Sequence, residues 1–182
     1  MFTDAAKNNC LTAEGTTHLS LHTAFSATGA NELTGGSPAY ARKAAAWAAA
    51  AAGSKALSAA ATFDVPAGTT VQWIGRWTAL TAGTFLGMGP LQGDEVEFGV
   101  DLTANTILRA AHGFVNTNQV VFVGGTPPGG LTEGTVYFVV SAAIDLTSAP
   151  AAACTVSKIV PETYGSQGTL QVTTAFALNL NN

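Results

Sequence analysis

Charge is what this 182-residue chain has least of: 7 Lys and Arg and 11 Asp and Glu make 10% of its residues ionic, against roughly a quarter in an ordinary soluble domain. A free monomer relies on dispersed charge to stay apart from its neighbours, so this scarcity points to a part that sits in an assembly. The formal net charge of −4 argues against a phosphate-tracking groove, because nucleic-acid binding draws its affinity from clustered Lys and Arg. The nearest thing to such a cluster is Arg42-Lys43. Cysteine is also scarce: Cys10 and Cys154 lie far apart, neither has a Cys or His at metal-ligand spacing, and both read as free thiols. Met1 to Leu11 lacks the basic and long apolar regions of a secretion signal. The most apolar run, Ala44 to Ala52, is mostly alanine around Trp47 and is no membrane span. The expectation is a chain made in the cytoplasm, without membrane insertion, that stays soluble until it meets a partner.

Aromatics and turn residues are what the sequence does supply. Nine Phe, three Trp and three Tyr furnish a core for one domain of ordinary size or two small ones. Thr3-Asp4 can cap a short helix running to Leu11, with Gly15 following its end. Thr16 to Ala24 alternates His18, Ser20 and His22 against Leu19 and Leu21, the pattern of a half-buried strand. Gly29 to Pro38 is a loop. Tyr40 to Ala61 would pass for helix on alanine propensity, but the Gly53-Ser54 turn favours two strands, Ala41 to Ala49 and Lys55 to Phe63. Thr70 to Leu80 sets Val71, Trp73 and Trp77 against Gln72, Arg76 and Thr78 and is the clearest strand in the chain. Thr84 to Met88 follows as another. Beyond Asp94, short β-branched or aromatic runs (Ile107-Leu108, Gln119 to Val123, Thr135 to Val140, Cys154 to Val160) are separated by Gly and Pro clusters. Thr169 to Leu180 suits one or two closing strands. The class is mainly β: a β-sandwich base with a short N-terminal helix and a small inserted β-module.

The first third resembles a family of small tail-fibre-like virion proteins of long-tailed bacteriophages, especially those infecting actinobacteria. The residues that carry the resemblance are Met1 to Asn8, His18-Leu19-Ser20-Leu21-His22-Thr23-Ala24, Gly35 to Lys43, Phe63 to Val71 and Ala79 to Gly87. In such proteins a Gly-Thr-φ-x-Val-Thr segment closes the domain, where φ is apolar, and Gly168-Thr169-Leu170-Gln171-Val172-Thr173 has that form. Between them, Ala111-His112-Gly113-Phe114, Val120-Val121-Phe122, Gly129-Gly130-Leu131 and Gly134 to Val139 are similar to a small β-module that recurs in phage tail and fibre proteins. The implied organisation is nested: residues 1–97 plus 161–182 form the base, and residues 98–160 are inserted in a surface loop, where insertions are best accepted.

Candidate chemistry is thin. His18 and His22 on a strand are roughly 13 Å apart, too far to share a metal ion. Asp94, Glu95 and Glu97 are the densest carboxylates, but they lack calcium-loop spacing and read as a solvated junction between domains. Ser20 lies between two histidines without the strained turn a nucleophile needs, and His112 reads as a structural residue. Trp73 and Trp77 share a face with Val71 and read as core rather than as a sugar platform. Glycines 124, 125, 129 and 130 lack the lysine of a phosphate loop and are assigned to turns. No catalytic, cofactor or metal residue is assigned.

The sequence therefore reads as a non-enzymatic structural protein of a phage virion, of tail-fibre or minor-tail type. Its expected partners are other virion proteins and copies of itself, and its place is the assembled particle. Two alternatives stay open: a decoration protein on the capsid shell, and a module that binds host-surface glycan.

Overall fold

A computed structural model of the chain describes residues 2–91, 95–101, 106–108, 114–140 and 151–179. The protein is mainly β, with one helix and fifteen strands among the described residues: α1 (Asp4–Ala13), β1 (His18–His22), β2 (Lys43–Ala44), β3 (Ser54–Ala56), β4 (Ala61–Val65), β5 (Thr69–Val71), β6 (Trp73–Trp77), β7 (Phe85–Pro90), β8 (Glu95–Asp101), β9 (Thr106–Leu108), β10 (Gln119–Thr126), β11 (Val136–Phe138), β12 (Ala151–Ile159), β13 (Glu162–Tyr164), β14 (Gly168–Val172) and β15 (Ala177–Asn179). Contacts divide it into two compact units, Met1–Met88 with Glu162–Asn182, and Gly89–Pro161.

In the first unit, β1 lies inside a four-stranded sheet ordered β2-β1-β6-β7. It pairs antiparallel with β6 from His18↔Trp77 to His22↔Trp73. The expected half-burial of β1 is overturned: Ser20 and His22 are as fully buried as Leu19 and Leu21. The reason is the loop after β1, which folds back over the polar face through Leu33 N–H to Leu21 C=O and Thr23 N–H to Asn31 C=O. The single strand expected from Thr70 to Leu80 is split at Gln72. There the chain changes partners, β5 pairing with β13 and β6 with β1.

The last strands of the chain complete this unit. β13, β14 and β15 pair with β5, β4 and β3 in turn. From Glu162↔Val71 to Asn179↔Ser54 both chain segments advance by the same number of positions, so the three ribbons are pieces of one antiparallel ladder in unbroken register. Its inner face contributes Phe63, Val65, Val71, Leu170 and Val172, all buried. Each such side chain is worth roughly 1.5–3 kcal/mol of burial. Gln167 ties the ladder to the preceding loop, accepting from Ser37 N–H at 2.7 Å and donating to Pro38 C=O at 2.8 Å.

The alanine-rich segment is a hairpin, with Ala48 N–H bonded to Ala56 C=O and the turn at Ala52-Gly53 in positive φ. Its regular strands are shorter than the two expected, because alanine carries too little side chain to define a face; bridges at Trp47↔Leu57 and Ala51↔Ser54 hold it instead. The hairpin clamps α1. Thr3 Oγ1 caps the helix by accepting from Ala6 N–H, Asn8 Oδ1 accepts from Gly53 N–H at 2.9 Å, and Lys55 Nζ donates to Leu11 C=O at 3.0 Å. A cation on an unsatisfied carbonyl in the last turns of the helix suits both its hydrogen-bond need and its dipole.

The second unit is a five-stranded sheet ordered β11-β10-β12-β8-β9. Phe98, Val120, Phe122 and Val156 form its core, with Phe114, Leu131, Tyr137 and Val139 packed against it. Glu95 and Glu97 sit on β8, paired with Ser157 and Thr155 of β12. The contacts of this unit begin at Gly89, ahead of the start at residue 98 expected for the inserted module. Gly124 and Gly125 lie within β10 rather than in a turn, at the point where its register with β12 shifts. Glycine at a strand irregularity permits the local bend.

Candidate functional site

Strand geometry creates the most polar spot in the first unit's interior. Residues two apart on a strand share a face, so Ser20 and His22 lie side by side, and the register sets Gly75 of β6 opposite Ser20. A Cβ at Gly75 would collide with Ser20 Oγ and His22 Nε2, so the missing side chain makes the room that the pair occupies. His22 Nδ1 is 2.8 Å from Ala30 C=O. A carbonyl only accepts, so Nδ1 carries the hydrogen and Nε2 is an acceptor. Ser20 Oγ lies 2.7 Å from that Nε2 and donates to it, while Trp77 Nε1–H donates to Ser20 Oγ at 2.9 Å. The chain of donors thus runs in one direction, from Trp77 through Ser20 to His22, and His22 closes separately on Ala30.

Burial holds the His22 imidazole below its ordinary pKa of 6.5, outweighing the bond to Ala30 and the field of Glu32, which act upward. The contact resembles a nucleophile with its base, yet its setting is wrong for attack on a substrate. Ser20 and His22 expose no surface, the far imidazole nitrogen meets a backbone carbonyl in place of a carboxylate, and the Ser20 oxygen is engaged by an indole. The arrangement fastens β1, β6 and the intervening loop together.

A second cluster covers its flank. Arg42 Nε and Nη2 grip both oxygens of Glu32, at 2.9, 3.2 and 2.8 Å. Its Nη1 donates to Ala82 C=O at 2.8 Å, and its guanidinium lies 3.4 Å from the Trp77 ring centroid. Tyr40 hydroxyl reaches Glu32 and accepts from Leu21 N–H at 2.8 Å; burial pushes its pKa well above the usual tyrosine value. Arg76 pairs with Glu14, which also caps Thr16. The conspicuous charges of the first unit are thus committed to internal contacts.

The remaining sequence candidates do not converge. His18 stands at the other end of β1 from His22 and contacts Thr17. Among the described residues no group of three His, Cys, Asp or Glu is placed to hold a metal ion. Asp94 and His112 lie outside the described residues. Trp73 and Trp77 are core residues, and Trp47 is half-buried with Nε1 donating to Thr16 C=O. Cys10 is an exposed free thiol on α1; the side chain of Cys154 lies outside the description. The Ser20–His22 contact is what sequence reasoning missed, although the i, i+2 spacing on a strand was the signal for it. Among the described residues no helix is long and apolar enough to cross a membrane.

A family model described as Podophage GP4 fiber I protein gp80 matches residues 3–105, more than half of the 182-residue chain. No curated protein and no solved structure matches.

Proposed function

The chain belongs to the podophage GP4 fiber I protein gp80 family, and from that premise we propose that it is a non-enzymatic building block of a phage tail fibre, present in several copies and joined to other virion proteins. Membership of a tail-fibre family makes it a virion component. The match does not carry the narrower expectation of a long-tailed, actinobacterial phage.

The family match is the observation that carries this reading. The first unit supports it: a serine and a histidine are buried against each other and the Arg42–Glu32 and Arg76–Glu14 pairs are mostly buried, and these contacts brace the fold. The sparse charge of the whole chain supports assembly for the reason given above: little of the surface is built to repel a neighbour.

Immunogold labelling of purified particles tests the proposal. Gold at the tail, on the fibres, is the expected result. Gold spread over the head shell would replace the fibre role with capsid decoration. Unlabelled particles from cells that contain the protein would overturn both. A glycan role requires that the isolated protein bind host envelopes, and the fibre role alone does not.

A further inference from the structure

We propose that residues 24–30, the tip of the loop after β1, form an acid-released cover: a proton taken up by His22 lifts the tip from the β1–β6 face while the strands beneath stay paired. The inference does not depend on the fibre role. The loop has a fixed neck and a separate tip. At the neck a β-bridge joins His22 to Glu32, Thr23 N–H donates to Asn31 C=O and Leu33 N–H to Leu21 C=O. Leu33 is buried, and Arg42 grips both oxygens of Glu32. Asn31, at φ 62°, turns the chain from neck to tip.

The tip is built as a unit. Ser26 Oγ accepts from Thr28 N–H at 3.1 Å and from Ala30 N–H at 2.9 Å, and Asn31 Nδ2 donates to Phe25 C=O. Ala24, Ala27, Thr28 and Ala30 are exposed. Among the described residues two hydrogen bonds tie the tip to the strands below it. His22 Nδ1 donates to Ala30 C=O at 2.8 Å, and Ser26 N–H donates to Met88 Sδ at 3.2 Å. Ring contacts complete the seat: Phe25 meets Trp73 edge-on with centroids 5.2 Å apart, and Gly29 lies against the Trp77 and Phe85 rings, where a Cβ would collide. An exposed segment with so few fastenings opens at a lower free energy than the unit as a whole.

The closed site has no place for a second imidazole proton. Trp77 Nε1–H can only donate and occupies Ser20 Oγ as an acceptor, while the Ser20 hydroxyl hydrogen is given to His22 Nε2. A proton on Nε2 would face that hydrogen, and turning the hydroxyl away costs Ser20 the acceptor it has. The surroundings do not offset the charge. β1 offers Ser20, with His18 at the far end of the strand, β6 offers Trp73, Gly75 and Trp77, and β7 offers Phe85. Among the described residues the carboxylate in reach is Glu32, held by Arg42 and Tyr40. Burial therefore keeps the closed imidazole below 6.5, whereas a lifted tip lets the ring meet water and regain its ordinary value. The open form binds the proton more tightly, so the open-to-closed ratio grows as pH falls below 6.5. The gain is at most about tenfold per pH unit, or about thirtyfold by pH 5.

NMR of the full-length protein between pH 7 and pH 5 tests the inference. The amides of residues 24–30 should move towards random-coil shifts with the same midpoint, below 6.5, as the His22 ring, while the amides of β6 hold their positions. In His22→Gln, whose side-chain amide donates and accepts without taking up a proton, the tip should not respond to pH over this range. Phe25→Ala removes the Trp73 contact, leaves the partners of the imidazole in place and should move the midpoint upward, towards 6.5. A His22 ring that titrates without change in the tip, or that stays neutral to pH 5, overturns the inference. So does loss of β1–β6 pairing together with the tip, or an unaltered tip response in His22→Gln. If His22→Gln does not fold, Phe25→Ala decides, and an unmoved midpoint there is equally fatal.

Discussion

Replacing Ser20 by alanine removes one hydroxyl from a place where two neighbours depend on it. His22 Nε2 loses its donor and Trp77 Nε1 its acceptor, and no water reaches either because Ser20 and His22 expose no surface. Each stranded polar group costs about 1–3 kcal/mol, so the expected loss for the two is about 2–6 kcal/mol, against ±0.5 kcal/mol for an ordinary surface substitution. Trp73 Nε1 already lacks a partner, so the variant would hold two unsatisfied indoles in one core. The assay is urea unfolding followed by tryptophan emission. Trp47, Trp73 and Trp77 all belong to the first unit, so the signal reports that unit alone. With an m-value of about 2 kcal/mol/M, the midpoint should fall by about 1–3 M with m unchanged. A shift below about 0.25 M would refute the reasoning, since it would mean that the Trp77–Ser20–His22 chain is not sealed from solvent.

Acid should act through the same site. Because the folded His22 pKa lies below 6.5, both states are neutral above that pH. Below it the unfolded chain takes a proton that the folded one refuses, so stability is lost as pH falls from 6.5 towards the folded value, by at most about 1.4 kcal/mol per pH unit; His22→Gln should abolish this slope between pH 6.5 and 5, and an unchanged slope would assign it elsewhere. Arg42→Lys should destabilise the first unit by about 2–4 kcal/mol, because lysine cannot grip both Glu32 oxygens or stack on Trp77. Lys43→Ala, which breaks a pair with Asp64 that is about a third exposed, should cost under about 1 kcal/mol; equal midpoint shifts for the two would contradict the distinction. Deleting residues 89–161 and joining Met88 to Glu162 through a flexible linker should leave a cooperatively unfolding first unit, because the returning ladder would still reach β3, β4 and β5. A molten product would show that the units are not independent.

The strands with large alternating side chains were legible in the sequence. Val71, Trp73 and Trp77 announced buried strand, and Thr3 with Asp4 announced the helix start, because bulky apolar residues and capping hydroxyls act locally. What was not legible depended on distant chain. The burial of Ser20 and His22 comes from a loop folding back over them, and the break at Gln72 from the arrival of β13, supplied some ninety residues later. That Glu95 and Glu97 lie on a strand depends on β12, which pairs with them from some sixty residues later. Gly124 and Gly125 looked like turn residues because a glycine pair within a strand differs from one in a turn only through its partner strand. The buried Ser–His contact was hidden for another reason: its spacing was visible, but the absence of a side chain at Gly75, which admits it, acquires meaning only once the β1–β6 register is known.

Copy number in the particle tests the central claim most directly. Quantitative mass spectrometry of purified virions, calibrated against a capsid protein of known copy number, should find this chain at a small whole-number multiple set by the symmetry of the tail. Finding it in the infected cell but not in the virions would contradict the account.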